Sequence, residues 1–167
     1  MSVERKNYPQ LAKPVGPYVH AVKHAGLVFL SGLTAFGTPA QGHSLAKQAE
    51  AIFSQIKSVA SAEGTSLKAL LKVTIFITSF ESIAQLREVL FKEYGENLPA
   101  SSLVQVASLF SPEINIEIEA VLAAPDANTS VKARPNGKPP GPGRRYAVHF
   151  RQPGPGGLPS VPPQLKR

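Results

Sequence analysis

Residues 114–122 read INIEIEAVL, and this alternation constrains the fold more than any other feature of the chain. Ile114, Ile116, Ile118, Ala120 and Leu122 occupy every second position, and Asn115, Glu117, Glu119 and Val121 fill the gaps. Successive side chains of a strand point to opposite faces, so the segment is a strand with one apolar face and one acidic face. The apolar face needs a cover of helices. The acidic face, with Glu117 and Glu119, must be wet or packed against another subunit.

The cover is legible upstream. In SLAKQAEAIFSQIKSVASAEG, Leu45, Ala49, Ile52, Phe53, Ile56, Val59 and Ala60 form one helical stripe, and Gly64 offers a stop. In FESIAQLREVLFKEYG, Ile83, Leu86, Val89 and Leu90 form a second stripe. Ser79 is a candidate cap, Glu81 falls in the first turn and Gly95 ends the helix. LLKVTIFITS is rich in β-branched residues, with Val73, Ile75 and Ile77 on one side. YVHAVKHAGLVFLSG reads as a hairpin turning at His24-Ala25-Gly26, and strands are expected over 102–109 and 114–123. The order ββαβαββ, with one apolar face per helix, predicts an α+β domain in which both helices cover one face of a mixed sheet.

That domain spans residues 1–125. Beyond it, residues 126–167 are rich in proline and glycine and poor in apolar side chains, so this tail is expected to be disordered. The chain's net charge of +7 belongs to the tail. Residues 1–125 hold ten Lys/Arg against ten Asp/Glu; residues 126–167 hold eight Lys/Arg against Asp126 alone. Nucleic-acid binding is therefore expected only through the tail, which reads either as linker-like or as a cationic arm. The chain has no cysteine, which excludes disulfides, a thiolate nucleophile and cysteine metal sites and suggests a reducing, cytoplasmic setting. No stretch suits a membrane span, and MSVERKNYPQLAKP lacks the apolar core of a signal peptide. His20, His24 and His43 have no further ligand at metal spacing and are expected to be structural or exposed.

Four segments in order, GPYVHAV (16–22), LVFLSG (27–32), LPASSLVQVASL (98–109) and INIEIEAVLA (114–123), resemble the landmarks of the Rid family. This is the reactive-intermediate deaminase or YjgF group, also called L-PSP endoribonuclease. The resemblance runs from about Gly16 to Ala123. It implies a chorismate-mutase-like subunit, a homotrimer with clefts between neighbours, and hydrolysis of an imine or enamine to a carbonyl compound and ammonia without metal or organic cofactor. Tyr18 then matches the aromatic lining the cleft, and Ser31 and Gly32 match a ligand-contacting pair at the end of the second strand. Leu103 matches a position that contributes backbone groups, and Glu117 the glutamate that orients the hydrolytic water.

Two positions depart from that pattern. Ser101 stands where the family's deaminases of 2-aminoacrylate-type substrates carry an arginine that grips the substrate carboxylate, and a short neutral hydroxyl cannot reproduce that two-point contact. Leu33 replaces the usual glutamine after Ser-Gly. Both changes make the cleft more apolar, with Lys23, Lys72 or Arg87 of a neighbour as substitute cations. From the residues alone, Tyr18 reads better as a half-buried interface aromatic, Ser31-Gly32 as a strand-ending turn, and Glu117 and Glu119 as a solvated face. Three readings result: a deaminase, a non-catalytic trimer that binds a metabolite in the same clefts, and an RNA-acting protein.

Overall fold

The computed structural model describes residues 2–124; the tail expected over residues 126–167 lies outside them. Six strands form one sheet: β1 (Glu4–Lys6), β2 (Ala21–His24), β3 (Leu27–Leu33), β4 (Leu70–Ile77), β5 (Ala100–Gln105) and β6 (Ile116–Ala123). Two helices, α1 (Leu45–Ala62) and α2 (Ile83–Tyr94), complete the α+β fold. The spatial order is β1-β2-β3-β6-β4-β5. All pairings are antiparallel except β4 with β5, which need the crossover that α2 supplies.

The expected layers are present. Ile116, Ile118, Ala120 and Leu122 of β6 join Val73, Ile75 and Ile77 of β4 and the α1 stripe in one buried cluster, closed by Leu86 and Val89 of α2. Glu117 and Glu119 stand on the opposite face, in register with Phe76 and Thr74 of β4. Ser44 caps α1 by accepting the Lys47 amide hydrogen. Its end closes at Gly64, whose φ of 70° suits a residue without Cβ, with Gly64 and Thr65 amides donating back to Ser61 and Ala60 carbonyls.

Several local expectations differ. The sheet has six strands where the sequence pattern predicts five, because β1 is three polar residues with no alternation to betray it. It pairs with β2, and Lys6 reaches the buried carboxylate of Glu63 at 2.5 Å. The hairpin turn is tighter than read: His24 pairs with Leu27, and only Ala25 and Gly26 turn, with φ of 51° and 75°. Helix α2 begins at Ile83, so Ser79 and Glu81 precede it; Ser79 Oγ accepts the Glu81 amide hydrogen instead of capping the helix. Strand β5 starts two residues earlier than expected and ends at Gln105.

The feature that shapes the site is in β3. Leu30 pairs with Ala120 and Leu33 with Ile118, so Ser31 and Gly32 together oppose Glu119 alone. This is a β-bulge, not a strand-ending turn. It resets the alternation: Val28, Leu30 and then Leu33 are buried.

Candidate functional site

Beside the bulge lies a cavity of about 450 Å³. The bulge pair, Ser31 and Gly32, forms one wall, and Glu117 projects into it from β6. The segment before β2 contributes Lys13 and Tyr18. Phe36, from the loop after β3, and Phe110, from the loop before β6, form the apolar rim.

Gly32 is required by geometry. A Cβ built there would stand 1.9 Å from Glu117 Oε1 and 2.7 Å from its Cδ. The bulge and the missing side chain together make the slot in which the carboxylate lies. Burial raises the pKa of that carboxyl above the usual carboxylate value, and the charge of Glu119, two residues along the same face, adds to the effect. Ser31 is held by its own strand pair, its amide donating to the His20 carbonyl at 3.0 Å and its Oγ to the Val19 carbonyl at 2.7 Å.

His20 also lines the cavity, but both ring nitrogens are engaged. Nδ1 accepts the Tyr8 amide hydrogen at 2.9 Å, and Nε2 then donates to the Ala12 carbonyl at 2.8 Å. Its role is to pin residues 8–12, which lead into the cavity wall. Among the described residues, no group of three or more His, Cys, Asp or Glu stands where it could hold a metal ion.

The rim is set by a residue that the sequence reading passed over. Gln48 is fully buried on α1. Its Nε2 donates to the carbonyls of His43 and Glu113, each at 2.9 Å, and its Oε1 accepts the Asn115 amide hydrogen at 2.9 Å. Gly42 N–H donates to the Glu113 carbonyl, and Gln41 Nε2 to its carboxylate. The loops carrying Phe36 and Phe110 are thereby tied together, and the two rings meet edge to face with centroids 5.2 Å apart. A polar residue inside an otherwise apolar helical stripe is the only signal that pointed to Gln48.

Of the sequence-predicted site residues, Tyr18, Ser31, Gly32 and Glu117 come together in this cavity. Ser101 and Leu103 do not line it. They lie on β5, in register with Val73 and Ile75 of β4, and β4 separates them from β6. Leu103 packs against the core beneath the helices. The substitute cations are differently placed as well. Lys23 is engaged by Glu63 at 3.1 Å, and Lys72 donates to Ser102 Oγ and the Val73 carbonyl at 2.8 and 2.9 Å. Arg87 is exposed on α2. Lys13, unremarked in the sequence, is the lysine that the fold brings to the cavity among the described residues.

A family model described as Endoribonuclease L-PSP matches residues 9–124. The chain belongs to this family, the Rid group. A RutC family protein of Pyrococcus horikoshii is 32% identical over 113 residues, covering 65% of this chain and 88% of the relative. A 2-iminobutanoate/2-iminopropanoate deaminase of Dermatophagoides farinae is 29% identical over 117 residues, covering 68% and 91%. Among solved structures, RidA from an Antarctic Psychrobacter superposes with a TM-score of 0.65 at 31% identity, covering 72% of this chain and 98% of that one. A yeast structure, YEO7, gives 0.67 at 31% identity, covering 74% and 100%. The two helices on a mixed sheet are thus the fold of this Rid family, and one relative is named as a 2-iminobutanoate/2-iminopropanoate deaminase.

Proposed function

We propose that this protein hydrolyses an imine or enamine to a carbonyl compound and ammonia, with Glu117 as the catalytic residue. The observation that carries the reading is the half-buried Glu117 carboxylate, its pKa raised, seated against Gly32 inside a cavity also lined by Tyr18 and Ser31. A base with a raised pKa accepts a proton from water near neutrality better than an ordinary carboxylate does. Water aligned by Glu117 adds to the imine carbon, and its proton passes to the carboxylate. Glu117 returns that proton to the nitrogen, giving a carbinolamine, and then carries the carbinol hydroxyl proton to the nitrogen as the carbon–nitrogen bond breaks and the carbonyl forms. Imine and water become carbonyl and ammonia, so no redox partner or organic cofactor is required. Among the relatives is a protein named as a 2-iminobutanoate/2-iminopropanoate deaminase, which supports the same chemistry here.

The proposal includes a homotrimer in which β5 of one subunit, with Ser101 and Leu103, borders the cleft of its neighbour. Light scattering on residues 1–125 tests that arrangement; a folded monomer at micromolar concentration contradicts it.

Activity is tested by generating imines with an amino-acid oxidase and trapping what remains with semicarbazide. Wild type should accelerate imine loss, and Glu117→Gln should slow it about a hundredfold or more. Equal rates for the two refute the role of Glu117. Ser101→Arg should raise activity on the alanine-derived imine about ten- to a hundredfold, the size of one charge-assisted carboxylate contact. An inert Ser101→Arg variant of unchanged assembly favours the second reading, a non-catalytic metabolite-binding protein, which Ser101 itself motivates. The RNA-acting reading finds less support: the cavity offers one committed histidine and one lysine, and residues 1–125 carry no net charge.

A further inference from the structure

We infer that the cavity selects 2-imino acids with a large apolar or aromatic side chain, the carboxylate lying on Lys13 and the side chain on the Phe36–Phe110 pair. The inference rests on the deaminase reading for the reaction, but not for the binding.

Three observations carry it. The first is size. Within a single subunit the cavity is about 450 Å³, which is more room than a three-carbon acid fills. The second is the aromatic pair. Phe36 and Phe110 remain 39% and 60% exposed although Gln48 and Glu113 fix the loops that carry them. Two held rings, crossing at 68°, present a face and an edge on which a third apolar group can stack. Ring placement of this kind comes from buried hydrogen bonds, so the surface exists before any ligand arrives.

The third is charge. Lys13 reaches the cavity from the segment before β2, and Glu117 from β6. None of the ion pairs among the described residues uses Lys13. An anionic substrate is therefore repelled by Glu117 and attracted to Lys13, which orients its carboxylate away from the base. The imine carbon is attached to that carboxylate and is directed toward Glu117. Leu33, where a polar residue would have competed for ligand, adds apolar wall beside the bulge.

The test uses the 2-oxo acid products, whose binding needs no turnover. Phenylpyruvate and pyruvate are titrated calorimetrically into the full chain, in wild type, Lys13→Met, Phe110→Ala and Glu117→Gln. Wild type should bind phenylpyruvate at least tenfold more tightly than pyruvate. Phe110→Ala should bring the two together, and Lys13→Met should weaken both about tenfold while keeping their ratio. Raised salt should weaken binding to wild type but not to Lys13→Met, where only the repulsion from Glu117 is left to screen. Glu117→Gln should bind both at least as well as wild type. Pyruvate binding as tightly as phenylpyruvate, an unaffected Lys13→Met, or no binding of either acid overturns the inference. Selective binding without turnover of any imine would sink the deaminase reading alone; turnover without selectivity would sink this inference alone.

Discussion

Gly32→Ala is the most informative single change, because it disturbs Glu117 without touching it chemically. The added methyl carbon would lie 1.9 Å from Oε1, 2.7 Å from Cδ and 2.9 Å from Cγ of Glu117. All three atoms belong to one flexible side chain, so the carboxylate must retreat by about 1 Å or more while the backbone stays. Gly32 has no positive φ, so alanine brings no backbone strain. Overpacking costs about 1–3 kcal/mol in a rigid core, and the low end applies where one side chain can rotate away. Alanine's smaller unfolded-state entropy returns about 0.4–1 kcal/mol. The net change in stability should therefore stay within about 1 kcal/mol, a shift of roughly 4 °C in melting temperature. Activity responds differently, since a displacement of about 1 Å in a reacting group costs about a hundredfold. The assay is imine loss by semicarbazide trapping, run beside a thermal melt. Expected is a near-native melt with activity down about a hundredfold. The double variant Gly32→Ala, Glu117→Gln should be no slower than Glu117→Gln alone, because both changes remove the same interaction. A Gly32→Ala protein with more than half of wild-type activity would refute the claim that the bulge positions the base. Additive losses in the double variant would place the effect of Gly32 elsewhere.

The raised pKa of Glu117 means that its ionisation opposes folding: the favourable contribution of the protonated form is complete below the unfolded carboxylate value and is lost as pH rises through the folded one. Glu117→Gln should thus melt higher than wild type at pH 7–8, with the gap closing below about pH 4.3, and a lower melt at pH 7 would contradict this reading. Glu63 behaves in the opposite sense. Burial pushes its pKa up, but hydrogen bonds from Lys6, Tyr8 and Lys23 outweigh that and hold it below the usual value. Its contribution is present above the unfolded value and disappears as pH falls through the folded one. Glu63→Ala leaves Lys23 nearly buried and unpaired and should cost about 2–3 kcal/mol at neutral pH, read as a lower urea midpoint; an unchanged midpoint would show the network to be superfluous.

Local pattern sufficed where local physics decides. The alternation of 114–122 specified a strand and its two faces, because side-chain period 2 admits no other burial of four isoleucine and leucine residues on one side. The stripes of α1 and α2 specified which helical face is apolar, and those faces are the ones buried. Even Tyr18, Ser31, Gly32 and Glu117 were legible together, through four landmark segments, and they share one cavity. Other features were written in pairings across long separations. β1 is three polar residues whose place depends on a strand and a carboxylate far along the chain. The bulge at Ser31-Gly32 exists only against Glu119, so its resetting of the alternation reads locally as the end of a strand. Lys13, Phe36 and Phe110 carry no motif; residues 8–12 pinned by His20 and two loops tied by Gln48 bring them to Glu117. The separation of Ser101 from that carboxylate follows from sheet order, since α2 carries the chain across β4 before β5 is laid down. A sequence states which face of each element is apolar, but only packing states which elements are neighbours, and a cavity is a property of neighbours.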